Sequence, residues 1–190
     1  MAACRVLNPM SKMSSFMQDY LKETGDIIRA IERLGIQPVL VGGMALVILG
    51  SRRVTRDFDF VIAQPEHAFR EIIDVFYDKG LELASRLDKQ GNVLSTIGNR
   101  RVAASRIRID SPTSVYFFNR QTGLRIDLLF DFPLPAKDLI DTAKKIKIDG
   151  QIFHMASESN LMRLKKIAKA SRSKPGDADD IAFLEARLKD

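Results

Sequence analysis

"VLVGGMALVILGSRRVTRDFDFVI", residues 39–62, is the stretch whose reading decides the fold. Two glycines, 42 and 43, interrupt one apolar run, and two aspartates, 57 and 59, interrupt the next. Val39–Val41 reads as a short apolar strand, Met44–Leu49 as a short apolar helix ending at Gly50, and Phe58–Ile62 as the following strand. Glycine between a strand and a helix lets backbone N–H groups approach a ligand, and the helix N-terminus favours an anion such as phosphate. Residues two apart on a strand project from the same face, so Asp57 and Asp59 place their carboxylates together. Adjacent carboxylates repel unless a divalent cation lies between them. Mg²⁺, a hard ion that keeps waters and substrate phosphates among its oxygen ligands, suits such a pair. Glycine pairs and D-x-D are each common alone. Together, at a strand–helix junction and in an otherwise apolar strand, they point to phosphoryl or nucleotidyl transfer.

Outward from this stretch, the pattern is that of an α/β or α+β domain. Phe16–Leu34 reads as an amphipathic helix, with Leu21, Ile27, Ile28, Ile31 and Leu34 on one stripe and Gly35 as its stop. His67–Tyr77 is a second helix, with Phe69, Ile72, Ile73 and Phe76 on its apolar face. Ser105–Ile109 and Ser114–Asn119 read as strands, and "NRQTG" (119–123) turns into a third, Leu124–Phe130. "KIKIDGQIFHM" (145–155) is a hairpin with Asp149-Gly150 at its turn. Two helices follow Ser157, broken around Lys174–Gly176. The expected organisation is one domain over 1–190: an N-terminal helix (1–36), a mixed-sheet catalytic core (37–156) and a helical tail (157–190).

Composition bounds the function classes. With 190 residues, 45% of them hydrophobic, the chain can fill one ordinary core. A lone cysteine, Cys4, excludes an internal disulfide framework and points to a reducing compartment, most simply the cytoplasm. The opening residues lack the apolar segment of a secretory signal, and no apolar run is long enough to span a bilayer. A net charge of +6 is compatible with a polyanionic partner. His154 in an alternating strand, His67 at a helix start and Cys4 without an obvious basic partner read as structural or solvated. Phe117 and Phe118 fall on opposite strand faces, so one of them belongs to the core.

The 39–62 stretch resembles the signature of the nucleotidyltransferase superfamily: an apolar residue, two small residues, a spacer, then Asp-apolar-Asp. Val41, Gly42, Gly43, Asp57 and Asp59 occupy it, with thirteen residues between Gly43 and Asp57. More narrowly, it is similar to the minimal bacterial nucleotidyltransferases related to AbiEii-type toxins. Gly42, Gly43, Ala45, Arg53, Thr55, Asp57 and Asp59 match that Gly-Gly-x-Ala … Arg-x-Thr-x-Asp-x-Asp pattern. Aminoglycoside adenylyltransferases carry a related arrangement, matched by Thr55-Arg56, but with a longer, histidine-bearing segment before the carboxylates. CCA-adding enzymes carry an Arg-Asp pair after the glycines, where this chain has Met44-Ala45-Leu46.

The resemblance implies a mixed sheet and a third carboxylate from a neighbouring strand. Two "RID" triplets offer Asp110 and Asp127. Asp110 precedes Ser111-Pro112 and reads as a strand end, whereas Asp127 lies mid-strand, where an unpaired charge is costly. Asp127 is therefore the choice, and Asp131 reads as a surface or loop residue. The implied roles follow. Asp57, Asp59 and Asp127 hold Mg²⁺, as one ion or two; Asp127 also serves as general base or orients the acceptor hydroxyl. Gly42 and Gly43 position the phosphates of a nucleoside triphosphate, with Arg53 and Thr55 beside them. The tail resembles the end of the same branch at Leu161, Lys165, Asp177, Asp180 and Ile181, with a longer linker carrying Pro175-Gly176. Lys165 would neutralise triphosphate charge, and Asp177 or Asp180 would orient it or the nucleotide. The other basic residues of the tail read as a solvated face. The implied acceptor is an RNA, a tRNA end above all, or a protein hydroxyl. A toxin role with an antitoxin partner goes with the branch. A small aminoglycoside-type acceptor, and a non-catalytic nucleotide- or RNA-binding module, stand as alternatives.

Overall fold

The computed structural model describes residues 15–65, 68–171 and 176–189. Cys4, His67 and the linker residues 172–175 lie outside them. The elements run α1 (Ser15–Glu32), β1 (Val39–Val41), α2 (Gly42–Ile48), β2 (Asp57–Ile62), α3 (Phe69–Asp78), β3 (Glu82–Leu87), β4 (Val93–Ile97), α4 (Arg100–Asp110), β5 (Ser114–Phe118), β6 (Arg125–Phe130), α5 (Ala136–Ile140), β7 (Lys144–Ile148), β8 (Gln151–Met155), α6 (Glu158–Ser171) and α7 (Asp177–Arg187). All eight strands join one mixed sheet in the order β4-β3-β5-β6-β2-β1-β8-β7. β2 runs parallel to β6 and β1 parallel to β8; the other neighbours are antiparallel. The architecture is α+β, as the hydrophobic pattern predicts.

The alternation of the central strands separates core from site. Phe58, Phe60, Ile126, Leu128, Val115 and Phe117 fall on one face and are buried there. Phe117 is the buried member of the Phe117-Phe118 pair and stacks on Phe76 of α3, with ring centroids 3.8 Å apart. Phe130 meets Phe69 of α3 edge to face. α1 lays Leu21, Ile27, Ile28 and Ile31 into this layer and ties itself to the β5–β6 turn, where the Tyr20 hydroxyl donates to the Thr122 carbonyl. Burying such apolar surface contributes about 25 cal/mol per Å², which makes a register slip of β2 expensive: it would carry Asp57 and Asp59 into the core. The intended register therefore leaves both aspartates on the opposite face.

Several sequence expectations need correction. Ser105–Ile109 is part of α4, because Asn99 caps a helix there: its side chain accepts from Arg101 N at 2.9 Å and Val102 N at 3.2 Å. Ala103 and Ile107, four apart, are its buried residues. Asp110 is accordingly a helix end, not a strand end, and pairs with Arg106 at 3.2 Å. The helix of the Gly-Gly stretch, α2, begins at Gly42 itself and not at Met44. β3, β4 and α5 have no counterpart in the sequence reading. The Asp149-Gly150 hairpin forms as expected, both residues at positive φ. Asp131, a loop residue as expected, accepts from Gln64 N and Ala136 N. His154 takes a structural place, its ring against Gln37 and Glu32. No helix among the described residues is long and apolar enough to cross a membrane.

Candidate active site

The polar face of β2 and β6 opens into a cleft of about 1110 Å³. In register, Val41 of β1 lies opposite Asp59, Asp59 beside Asp127 of β6, and Asp127 opposite Tyr116 of β5. The sheet thus carries Asp57, Asp59 and Asp127 side by side, and it ends β1 in the glycines next to them. Gly42 has φ +69°, a conformation that side chains resist, and a Cβ there would stand 1.9 Å from Asp59 Oδ2. Glycine is required at 42 by both backbone and space. The Gly43 N–H, at the start of α2, bonds to the Asp59 carboxylate.

Burial, and next the charge of Asp57, push the Asp59 carboxyl up from the usual carboxylate range; Lys165, Arg125 and the Gly43 N–H pull it back in part. Burial and the Asp59 charge push Asp127 up to about 8 against the opposing pull of Arg125. Two desolvated carboxylates, Asp59 and Asp127, with Asp57 beside them, form a site that is short of positive charge.

Two arrangements of cations answer it. On the α2 side, α6 and α7 pack together so that Lys165 Nζ lies 2.7 Å from Asp180 Oδ2 and 3.8 Å from Asp177 Oδ1, all three residues being buried. Arg53, from the loop after α2, pairs with the same Asp180 oxygen. Thr55 lines the cleft beside it. On the β5 side, Arg125 donates from Nε to Asp127 Oδ1 at 3.0 Å and from Nη2 to Oδ2 at 3.2 Å. Its Nη1 donates to the Gly91 carbonyl at 2.8 Å, and its guanidinium lies 4.2 Å from the Tyr116 ring centroid. Sequence reasoning missed Arg125, although residues two apart on a strand share a face and Arg125-x-Asp127 is visible as such a pair.

The structure therefore brings every proposed site residue to one cleft: Gly42, Gly43, Arg53, Thr55, Asp57, Asp59, Asp127, Lys165, Asp177 and Asp180 all line it. Asp57 and Asp59 offer what a hard divalent cation takes, two adjacent carboxylates with the Asp59 carboxyl raised by burial and by its neighbour's charge. Asp127 has both oxygens engaged by Arg125, and among the described residues no three His, Cys, Asp or Glu side chains converge as a metal cage. The fit is to the pair.

No protein-family model and no curated protein matches the chain. Among solved structures it is similar to the lincomycin-bound lincosamide antibiotic adenylyltransferase LnuA, at TM-score 0.53 and 13% identity over 86% of this chain and 95% of that one. It is also similar to the antibiotic-resistance factor ANT(2'')-Ia, at TM-score 0.56 and 11% identity over 90% and 84%. A third likeness is to an antigenic nucleotidyltransferase-like protein from Paracoccidioides brasiliensis, at TM-score 0.54 and 18% identity over 87% and 75%. At these identities the shared property is architecture. The chain has the nucleotidyltransferase fold.

Proposed function

We propose that the chain is a Mg²⁺-dependent nucleotidyltransferase that moves a nucleoside monophosphate from a nucleoside triphosphate to a hydroxyl acceptor. The observation that carries this is the in-register pair Asp59/Asp127, with Asp57 two residues before Asp59 on the same face, beside a glycine whose place no Cβ can share. Gly42, Gly43, Arg53 and Thr55 bind the phosphates, and Lys165, held by Asp180 and Asp177, faces their charge. Mg²⁺ on Asp57 and Asp59 would offset phosphate charge and polarise the α-phosphorus. Asp127, in register beside Asp59 and opposite Tyr116, is the carboxylate placed to take the proton of the acceptor hydroxyl in its ionised form. The acceptor oxygen forms its bond to the α-phosphorus as the bond to the β-phosphate oxygen breaks, and pyrophosphate leaves.

The acceptor we favour is an RNA, with a protein hydroxyl next, in keeping with a toxin that an antitoxin protein would restrain. An aminoglycoside-type small acceptor and a non-catalytic binding module are the competing readings. The test is Mg²⁺-dependent pyrophosphate release from each nucleoside triphosphate, offered with total tRNA, with the protein alone and with an aminoglycoside panel. Asp57→Asn and Asp59→Asn should each abolish release and keep the fold, since removing one of two repelling carboxylates relieves the unliganded site. Full activity in either variant would remove the assigned metal pair.

A further inference from the structure

The carboxylates of the cleft are three corners of a block, and the fourth corner is a cation. Arg125 is the register neighbour of Asp57 just as Asp127 is of Asp59. Residues two apart on a strand share a face, so all four side chains stand together on two adjacent strands. We propose that Arg125 occupies the place of a second metal ion at Asp127. The cleft then takes one divalent cation, on Asp57 and Asp59, and the guanidinium is the fixed positive charge of the Asp127 side. The proposal rests on the transfer reading and deepens it, because it sets the number of ions and gives Arg125 a role.

Geometry comes first. The Arg125 fork donates from Nε to Asp127 Oδ1 at 3.0 Å and from Nη2 to Oδ2 at 3.2 Å, so it covers the edge by which the carboxylate would chelate a metal. A divalent ion on either oxygen would stand next to the guanidinium, cation against cation. A neutral hydroxyl meets no such repulsion. Each oxygen keeps a further lone pair, so the proton of an acceptor still has a place to go.

Anchoring comes second. The same guanidinium donates from Nη1 to the Gly91 carbonyl at 2.8 Å and lies 4.2 Å from the Tyr116 ring centroid. Gly91 belongs to the β3–β4 turn, which Asp88 closes by accepting from Gln90 N at 2.9 Å and Asn92 N at 2.8 Å. With its side chain only 17% exposed, Arg125 is held from three directions, and moving it off Asp127 would strand the Gly91 carbonyl as well. A guanidinium also keeps its charge at every working pH.

Charge comes third. With all three aspartates ionised, the block carries three negative charges and the one positive charge of Arg125. The two left over are what a single divalent ion neutralises. Lys165 and Arg53 already answer another pair of aspartates, Asp177 and Asp180. Arg125 is thus a positioning residue: it acts through Asp127, keeping that carboxylate off the metal and open to the acceptor.

The experiment counts Mn²⁺ per full-length chain from the EPR signal of the unbound ion, with the chain alone and with stoichiometric α,β-methylene nucleoside triphosphates. Wild type should hold one ion in both cases. Arg125→Ala should hold two, its second ion bound about tenfold or more tighter than any second ion of wild type, the scale on which outer-shell partners alter metal affinity. Adding Asp127→Asn to Arg125→Ala should return the count to one. Arg125→Lys, which keeps the positive charge, should stay at one and decides the matter if Arg125→Ala fails to fold. Two ions on wild type, a second ion on Arg125→Lys, or an unchanged count in folded Arg125→Ala overturns the proposal. If wild type binds no Mn²⁺, or Asp57→Asn keeps the wild-type ion, the metal pair falls and the transfer reading with it. If wild type binds two ions and Asp57→Asn loses one, only the role of Arg125 falls.

Discussion

Gly42→Ala is the perturbation with the most specific expected outcome. The residue lies at φ +69°, so an alanine there is held in the left-handed region at a cost of about 1–2 kcal/mol. Its methyl would sit 1.9 Å from Asp59 Oδ2, 2.6 Å from Cγ and 2.9 Å from Cβ, so the Asp59 side chain must leave its rotamer for about 0.5–1.5 kcal/mol more. A total near 2–3 kcal/mol is expected in urea unfolding, together with loss of Mg²⁺-dependent transfer, because Asp59 is the group displaced. Gly43→Ala is the matched control. Its φ is not in the positive region, and the added Cβ would meet the guanidinium of Arg53 at 3.0–3.1 Å, the far end of a flexible side chain that can yield. Its cost should stay under about 1 kcal/mol, offset in part by the helix preference of alanine. A double-mutant cycle separates the two parts of the Gly42→Ala penalty. In an Asp59→Ala background the carboxylate contact is gone, and the cost should fall towards the backbone part alone. Equal destabilisation by the two glycine variants, or an unchanged Gly42→Ala cost in the Asp59→Ala background, would refute this reasoning.

Two further outcomes concern charge. Lys165→Ala leaves buried Asp180 with Arg53 alone, so about 3 kcal/mol of stability should be lost; transfer should fall at least about tenfold, equivalent to about 1.4 kcal/mol in the barrier. Exposed Lys169 is the control for chemistry, and equal kinetic losses for Lys169→Ala would reduce the tail to a basic surface. In Mg²⁺-free buffer, the folded chain keeps the Asp127 proton up to about pH 8, while the unfolded chain releases it near the ordinary carboxylate value. The stabilisation is full below about pH 4 and is lost as pH rises toward 8, at up to about 1.4 kcal/mol per pH unit. Denaturant midpoints across that range should fall with pH in wild type and fall less in Asp127→Asn; identical slopes would mean Asp127 does not titrate there.

Legibility in the sequence followed the range of the forces involved. The strand–Gly-Gly–helix–Asp-x-Asp stretch could be read directly, because φ at a glycine, side-chain alternation on a strand and repulsion between carboxylates two residues apart are all local. The same holds for α1, for the Asp149-Gly150 hairpin and for the buried strands, whose apolar period is set within a few residues. Asp127 emerged from its mid-strand apolar context for the same reason. "SRIRI" misled, because alternation of charge and apolar residues fits a strand as well as a helix surface; the Asn99 cap and the burial of Ala103 and Ile107 resolve it toward α4. β3 and β4 are only half-buried and carry weak alternation, so they depend on pairing with each other and, through β3, with β5, which is distant in sequence. That Asp57 and Asp59 share a face was fixed by the sequence alone. That Asp127 stands in register with Asp59, that Lys165 lies 2.7 Å from Asp180, and that Arg125 is held between Asp127, Tyr116 and the Gly91 carbonyl were decided by tertiary structure. Each needs two segments far apart in the chain to meet, and sheet order and helix packing, not any local preference, determine which segments do.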